Sequence, residues 1–118
     1  MSSLVTAALA QTTDRDPRNI RNGSVIPDEG YCDQPYVVIT RDGNWLCTMT
    51  TGQGVEGKPG QHVVSAISSD HGRTWSPRFT LLENIARENV MSVTLLRLQS
   101  GEIAFFYLHK NSSSDLKA

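Results

Sequence analysis

Long apolar runs and clusters of basic residues are both missing from this sequence. Because no apolar run is long enough to cross a bilayer, the sequence offers no candidate membrane span. Because there is no basic stripe and the formal net charge is −1, a nucleic-acid partner is not expected. Charged residues make up 19% and hydrophobic residues 38% of the 118 positions, which is typical of one small folded domain rather than a disordered chain.

Cysteine is scarce, and the two cysteines present do not form a metal-binding pattern. Cys32 and Cys47 make no C-x-x-C motif and have no matching histidine pair, so no zinc site is predicted. Cys47 lies in an apolar stretch and is predicted to be a small buried side chain. The strand pairing given below does not place the two cysteines opposite each other, so no disulfide is predicted. We expect neither a metal nor a cofactor.

Familiar catalytic and nucleotide-binding motifs are absent or fail in context. The sequence contains no G-x-S-x-G and no H-E-x-x-H. The segment Gly52–Gly57 does read G-x-G-x-x-G, and a dinucleotide site would require a helix to begin directly after it. Lys58-Pro59-Gly60 prevents that helix, so the segment is interpreted as a flexible loop.

Helical periodicity is also lacking, and what remains is a series of short β-type segments. Asp42-Gly43 is a strong signal for a two-residue hairpin turn. The first group of predicted strands, chosen for β-branched and aromatic content, comprises Tyr36–Thr40, Trp45–Thr50, His62–Ile67 and Phe79–Leu82. This order predicts a four-stranded antiparallel meander occupying about residues 31–83.

The pattern then starts again. Met91–Leu98 and Ile103–Leu108 match the first two strands, and the turn glycines Gly43 and Gly101 are 58 positions apart. A four-stranded unit that recurs at such a period predicts an all-β fold made of propeller blades. The second unit, at about 91–118, contains only two strands. We therefore expect a fragment of about one and a half blades.

The turn between the last two strands of the first unit has the most specific pattern in the chain. Asp70 can accept hydrogen bonds from backbone N–H groups just ahead of it, and Gly72 can adopt positive φ. Hydroxyls and a large ring can tie the arms of the turn together. The residues of this S-x-D-x-G-x-T-W pattern, which are predicted to be structural, are Ser68, Asp70, Gly72, Thr74 and Trp75.

This pattern resembles the Asp box of bacterial sialidase-like β-propeller proteins. Cys32–Val38, Gln61–Ser65 and Lys110–Asp115 are also similar to that family, and the resemblance covers about residues 23–118. It implies a six-bladed propeller and an exo-α-sialidase that acts on a carbohydrate (glycan) substrate. The alternative is a non-catalytic propeller that binds glycans or proteins. The isolated chain is predicted to be inactive.

Family sialidases hold the substrate carboxylate with three arginines and use an Asp acid/base and a Tyr–Glu pair. This sequence has Asp33-Gln34-Pro35 where the family's first Arg-Ile-Pro motif would stand. Glu56 is the carboxylate nearest to the family's acid Asp, and the Tyr–Glu pair would lie in blades that this chain lacks. The resemblance therefore implies the architecture more directly than it implies sialidase activity.

Candidate site residues lie at the end of the strands opposite the Asp box, where the loops are longer. Asp33 and Glu56 are predicted to be catalytic, because glycoside hydrolysis commonly uses paired carboxylates. Solvated loop carboxylates are the alternative. Pro35 is predicted to keep the preceding residue extended. The predicted substrate-binding residues are Gln34, His62, Arg87, Glu88 and Lys110.

The N-terminal segment 1–22 is predicted to lie outside the fold. Leu4–Ala10 is short and apolar, and it ends in Ala8-Leu9-Ala10 followed by Gln11. That arrangement is typical of the end of a secretory signal peptide and predicts a secreted or periplasmic protein. A poorly packed N-terminal segment is the alternative. The polar residues up to Asn22 are interpreted as a linker.

Overall fold

A computed structural model describes residue 16 and residues 19–112 of the chain. The predicted leader at Leu4–Gln11 and the tail from residue 113 lie outside the described residues. Within them, a short 3-10 helix precedes six strands. The elements are η1 (Ile20–Asn22), β1 (Tyr31–Ile39), β2 (Trp45–Gly52), β3 (His62–Ser68), β4 (Phe79–Leu82), β5 (Asn89–Arg97) and β6 (Ile103–Lys110). The predicted all-β fold class is confirmed. In the part of the chain that is described, no helix has the length and apolar character to span a membrane.

Strands β1 to β4 form one antiparallel sheet in sequence order, as the meander pattern predicts. The β1–β2 hairpin closes at Asp42-Gly43. The Thr40 N–H donates to the Asn44 carbonyl at 2.8 Å, and the Gly43 N–H donates to the Thr40 carbonyl at 3.0 Å. Gly43 has a φ of 85°, which a residue with a side chain rarely adopts. The predicted hairpin is therefore confirmed.

Strands β5 and β6 form a second, two-stranded antiparallel sheet that repeats the first hairpin. Both strands begin and end 58 residues after β1 and β2. The pair Asp33↔Thr50 recurs as Met91↔Leu108, and each ladder then shifts register by one residue. The repeat therefore extends to individual backbone positions. Its second copy begins at Asn89, two residues before the predicted Met91.

These register shifts are β-bulges, and the first of them corrects two predictions. Strand β1 begins at Tyr31 rather than Tyr36, so Asp33 and Gln34 belong to a strand and not to a lead-in loop. Gln34 has a φ of 47°, so the predicted extended conformation before Pro35 is wrong. A bulge places two residues opposite one, and an edge strand tolerates a proline there because no ladder N–H is lost.

The two sheets share a small core and a polar seam. Strand β5 lies against β1, β2 and β3. Val63, Val90 and Val93 are buried together at this contact, and neighbouring apolar side chains pack around them. Beside the valines, the Gln61 N–H donates to Asn89 Oδ1 at 2.9 Å, and the Val90 N–H donates to the Gln61 carbonyl at 3.1 Å. Apolar burial and these hydrogen bonds hold the second unit on the first.

Candidate functional site

Antiparallel connectivity divides the connections between two ends of the sheets. The β1–β2 turn, the β3–β4 turn and the β5–β6 turn share one end. The other end holds the segment that leads into β1 together with the β2–β3 and β4–β5 connections. We refer to these as the turn end and the loop end. The predicted Asp box lies at the turn end, and the predicted catalytic residues lie at or near the loop end.

The turn end holds a hairpin corner built from its own side chains. Asp70 accepts the Thr74 N–H at 2.8 Å through Oδ1 and the Thr74 hydroxyl at 2.6 Å through Oδ2. The Ser68 hydroxyl donates to Asp70 at 2.8 Å and accepts the Gly72 N–H, also at 2.8 Å. The hydrogen bonds from Thr74 and Ser68 lower the pKa of Asp70 to about 2. All of these contacts stabilise the turn itself, and none leads to another element.

Aromatic rings close off the same corner. Gly72 has a φ of 82°, and a Cβ added there would lie 3.0 Å from the Trp45 ring and 3.7 Å from the Trp75 ring. The His71 ring meets Trp45 edge to face, with 6.1 Å between the ring centroids. A side chain at position 72 would therefore be both strained and crowded. This close packing indicates that the corner has a structural role.

At the loop end, the charges of two carboxylates act on one phenol. Tyr31 and Asp33 are on β1, and Glu56 is in the β2–β3 loop. Burial raises the pKa of Tyr31, and the negative charges of Asp33 and then Glu56 raise it further. Both predicted catalytic carboxylates are therefore near enough to act electrostatically on one hydroxyl. Tyr31 was not among the predicted site residues, although an aromatic residue two positions before a candidate carboxylate in a strand was a usable signal.

His62, the first residue of β3, forms part of a second group. Its Nε2 lies 3.3 Å from Oε1 of Glu29, and the same oxygen lies 3.3 Å from Nη2 of Arg78. The Arg78 guanidinium also donates to the backbone carbonyls of Pro27 and Asp28, at 2.9 and 2.8 Å. We call Glu29, His62 and Arg78 the clasp. It fastens the segment before β1 to the first sheet.

Glu88 and Lys110 form a third group. Their side chains pair at 2.9 Å, and Lys110 is only 8% exposed. The Glu88 N–H donates to the Lys110 carbonyl at 3.1 Å, so the ion pair lies beside the backbone ladder that opens the second hairpin. Arg87 is exposed, and its backbone N–H donates to Asn111 Oδ1 at 3.1 Å. Glu88 and Lys110 are therefore engaged with each other within the fold, and only the Arg87 side chain is exposed.

Asp33 and Glu56 thus both act electrostatically on Tyr31, while the other predicted residues lie in separate groups. Within residues 19–112, no hydrogen bond or ion pair joins the two carboxylates to His62, Glu88 or Lys110. Gln34 is exposed beside Asp33 in the bulge. In the same described range, no group of three or more His, Cys, Asp or Glu side chains could hold a metal ion.

The cysteines follow the predicted register. Cys32 lies opposite Thr51 and Cys47 opposite Val37, and both thiols are free. Burial is the main cause that raises the pKa of each thiol, which makes both poor nucleophiles at neutral pH. They therefore add no reactive group to the loop end.

Comparisons with known proteins assign the chain to no family. No protein-family model matches it, and no curated protein does either. The function must therefore be argued from the geometry of the chain itself.

Proposed function

We propose that this chain forms one blade and the start of the next in a six-bladed β-propeller of the sialidase-like type, and that the whole protein is an exported glycoside hydrolase. The 58-residue repeat of strands, register and bulge supports the propeller, and so does the self-contained corner around Asp70. A propeller closes with ~4–8 blades. The proposal therefore requires further blades beyond residues 19–112.

The observation that carries the hydrolase proposal is that the charges of Asp33, two residues along β1, and Glu56, in the β2–β3 loop, both raise the pKa of the Tyr31 phenol. Glycosidases commonly use two carboxyl groups, one as general acid and the other as general base or nucleophile. Asp33 is assigned the acid/base role because its backbone is paired with Thr50, directly before the bulge that contains Gln34 and Pro35. Glu56 supplies the second carboxylate from the adjoining loop, and Tyr31 supplies a hydroxyl for a substrate oxygen.

The charges of the site favour a neutral terminal sugar over a sialic acid. Asp33 occupies the place where family members carry a carboxylate-binding arginine, and an anionic substrate would be repelled there. Of the two residues predicted to hold an anionic group, Arg87 is exposed and Lys110 is already paired with Glu88. A paired cation is less able to hold a substrate carboxylate. A neutral sugar binds without a cationic partner.

Activity measurements on the full-length protein test this proposal. Aryl glycosides of neutral sugars and of sialic acid serve as substrates, and cleavage of a neutral glycoside is expected. Asp33→Asn is expected to lower kcat by about 10²–10⁴-fold, the usual contribution of general acid/base catalysis. The melting temperature should change little. Glu83→Gln is the matched control, because Glu83 is an exposed carboxylate at the same end with no described partner.

Two results would contradict the assignment of Asp33. Full activity of Asp33→Asn would remove it from the chemistry. A large fall in melting temperature would make it a structural residue of β1.

A non-catalytic glycan-binding propeller is the second candidate. It is favoured by the exposure of Gln34 and Tyr36 on the strand that carries Asp33, since an aromatic ring offers a sugar an apolar face and an amide offers it hydrogen bonds. This candidate predicts that a glycan array detects binding, that Asp33→Asn retains it, and that no glycoside is cleaved.

A further inference from the structure

A second candidate site lies at the turn end, between the two equivalent hairpin turns. A cavity of about 430 Å³ opens there, lined by Arg41, Arg97, Leu98, Gln99 and Gly101. We propose that this cavity binds a tetrahedral oxyanion, a sulfate or phosphate group, between the guanidinium groups of Arg41 and Arg97. The inference is independent of the proposed hydrolase activity, because the cavity is at the opposite end of the strands from Asp33.

Arg97 is held in place by the first hairpin. Its Nη1 donates to the carbonyl of Ile39 at 3.1 Å, across the contact between β5 and β1. Ile39 occupies the position in β1 that Arg97 occupies in β5, so the bond ties equivalent points of the two units. A guanidinium carries five N–H donors. The others have no protein partner in the described part of the chain, and the side chain lines the cavity.

Arg41 reaches the same cavity from the β1–β2 turn and is positioned by a glycine. Its guanidinium lies over Gly101, where an added Cβ would overlap it. Gly101 also has a φ of 88°, so both the turn and the arginine favour glycine at this position. Arg41 forms no ion pair with any residue in 19–112. Two guanidinium groups that form no ion pair within the described residues therefore border one cavity.

The nearby carboxylates keep their charges but form no ion pair with Arg41 or Arg97 within residues 19–112. Asp42 accepts hydrogen bonds from Thr40 and from Asn44 Nδ2 within its own turn. Glu102 accepts the Ser100 hydroxyl at 2.9 Å and lines an adjoining pocket that shares Arg41 and Gly101. The cavity itself has only the two arginines as charged lining residues.

The chemistry of the ligand follows from these donors. Guanidinium groups bind phosphate, sulfate and carboxylate oxygens through paired, charge-assisted hydrogen bonds. Two such groups on different turns match an anion that carries two charges and presents oxygens in several directions. A tetrahedral dianion fulfils both conditions, whereas a carboxylate offers one charge and two oxygens in a plane. The ligand could be a free ion or an ester group on a glycan.

Titrations of the 118-residue chain with sodium sulfate, sodium phosphate and sodium acetate at matched ionic strength test the proposal. NMR signals of the arginine Nε–H groups and of backbone amides 97–101 are the readout. Saturable shifts with sulfate and phosphate are expected, and weaker ones with acetate. Arg41→Gln and Arg97→Gln should each weaken binding by about 10–100-fold, as expected for a lost charged hydrogen bond. Arg41→Lys keeps the charge and should retain part of the affinity.

Arg73→Gln is the matched control, because Arg73 is an exposed arginine at the turn end that does not line the cavity. If it weakens binding as much as the other two variants do, the response is to net charge and the proposal is wrong. Acetate binding as tight as that of sulfate would also overturn it. A sulfated disaccharide that binds tighter than both sulfate and its unsulfated parent would identify a glycan ester as the source. Equal affinity for the disaccharide and sulfate would identify the free ion.

Discussion

Tyr31 is the residue whose ionisation reports most directly on the candidate catalytic pair. Burial, Asp33 and Glu56 all raise its pKa above the ordinary value near 10. We predict that Asp33→Asn lowers the pKa of Tyr31 and that Glu56→Gln lowers it by less, while burial keeps it raised in both variants. Titration of the phenolate absorbance measures this, and Tyr31→Phe identifies the signal among the three tyrosines.

The raised pKa of Tyr31 also determines the direction in which the stability of the fold changes with pH. The pKa of Tyr31 is higher in the folded chain than in the unfolded chain, so its contribution is complete below about pH 10. It is lost as the pH rises through the folded value. An unchanged Tyr31 titration in both carboxylate variants would show that the two charges do not act on the phenol, and the proposed site would lose its main support.

Asp70 gives the second prediction for a single residue. Its pKa of about 2 lies below the ordinary value of 3.8, so its hydrogen bonds add stability that is present above about pH 4 and lost as the pH falls towards 2. Asp70→Ala should lower the urea midpoint at neutral pH, and its difference from the unchanged chain should shrink towards pH 2. Glu83→Gln is the control. A pH-independent difference would mean that Ala acts through packing or backbone effects instead.

Local chemistry in the sequence predicts single residues well only where their partners are close in the chain. The bonds between Ser68, Asp70 and Thr74 span two or four residues, so the motif contains the whole interaction. Gln34 shows the opposite case. Pro35 alone favours an extended residue before it, but the bulge opposite β2 imposes a φ of 47°, and the pattern of β1 gives no sign of that register shift.

Among the elements, the clasp controls the segment that leads into β1. Arg78 holds two backbone carbonyls of that segment and the Glu29 carboxylate. We predict that Arg78→Ala lowers the free energy of unfolding by about 1–3 kcal/mol, the range for hydrogen bonds to charged groups. It should also increase proteolytic cleavage before β1. Urea unfolding and limited proteolysis measure the two effects.

Arg73→Ala provides the control for the clasp. Arg73 is exposed and its side chain has no described partner, so a change within about 0.5 kcal/mol is expected. Arg78→Lys separates charge from geometry, because a lysine lacks the planar fork that reaches several acceptors. Equal losses from the alanine variants at 73 and 78 would show that the clasp adds nothing specific.

Strands and turns could be predicted where the residues that form them are close in the sequence. The clasp could not be predicted in this way. The β-branched and aromatic content, the Asp42-Gly43 turn and its repeat at Gly101 were enough to predict five of the strands to within a few residues, and to predict their order. The start of β1 depends on pairing of Tyr31 with Gly52 at the end of β2. The contacts of Arg78 with Asp28 and Glu29 join residues about 50 positions apart. A coil segment that crosses a sheet has no periodicity that marks it beforehand.

For the molecule as a whole, the two repeated units differ in how completely their strands are paired. In the first unit β2 has a neighbour on both edges, while its counterpart β6 has one only, β5, within residues 19–112. The other outer edges are protected in different ways. Strand β1 carries a bulge and Pro35, and β4 has only four residues. Short length, bulges and proline are all devices that discourage edge pairing.

Strand β6 has none of these protections along most of its length. Ile103–Leu108 is uncharged and free of proline, and Phe106 and Tyr107 are 56% and 40% exposed. We predict that the 118-residue chain associates with itself through this edge, with an apparent mass that rises with concentration, and that Phe106→Lys reduces the association. An edge lysine disfavours pairing because its charge would have to be desolvated. Sedimentation velocity over a range of concentrations measures the effect.

Leu81→Lys, on the short edge strand β4, is the matched control and should leave association unchanged. Equal effects at both positions would indicate general hydrophobic association, and a monomer at all concentrations would show that the β6 edge is already covered.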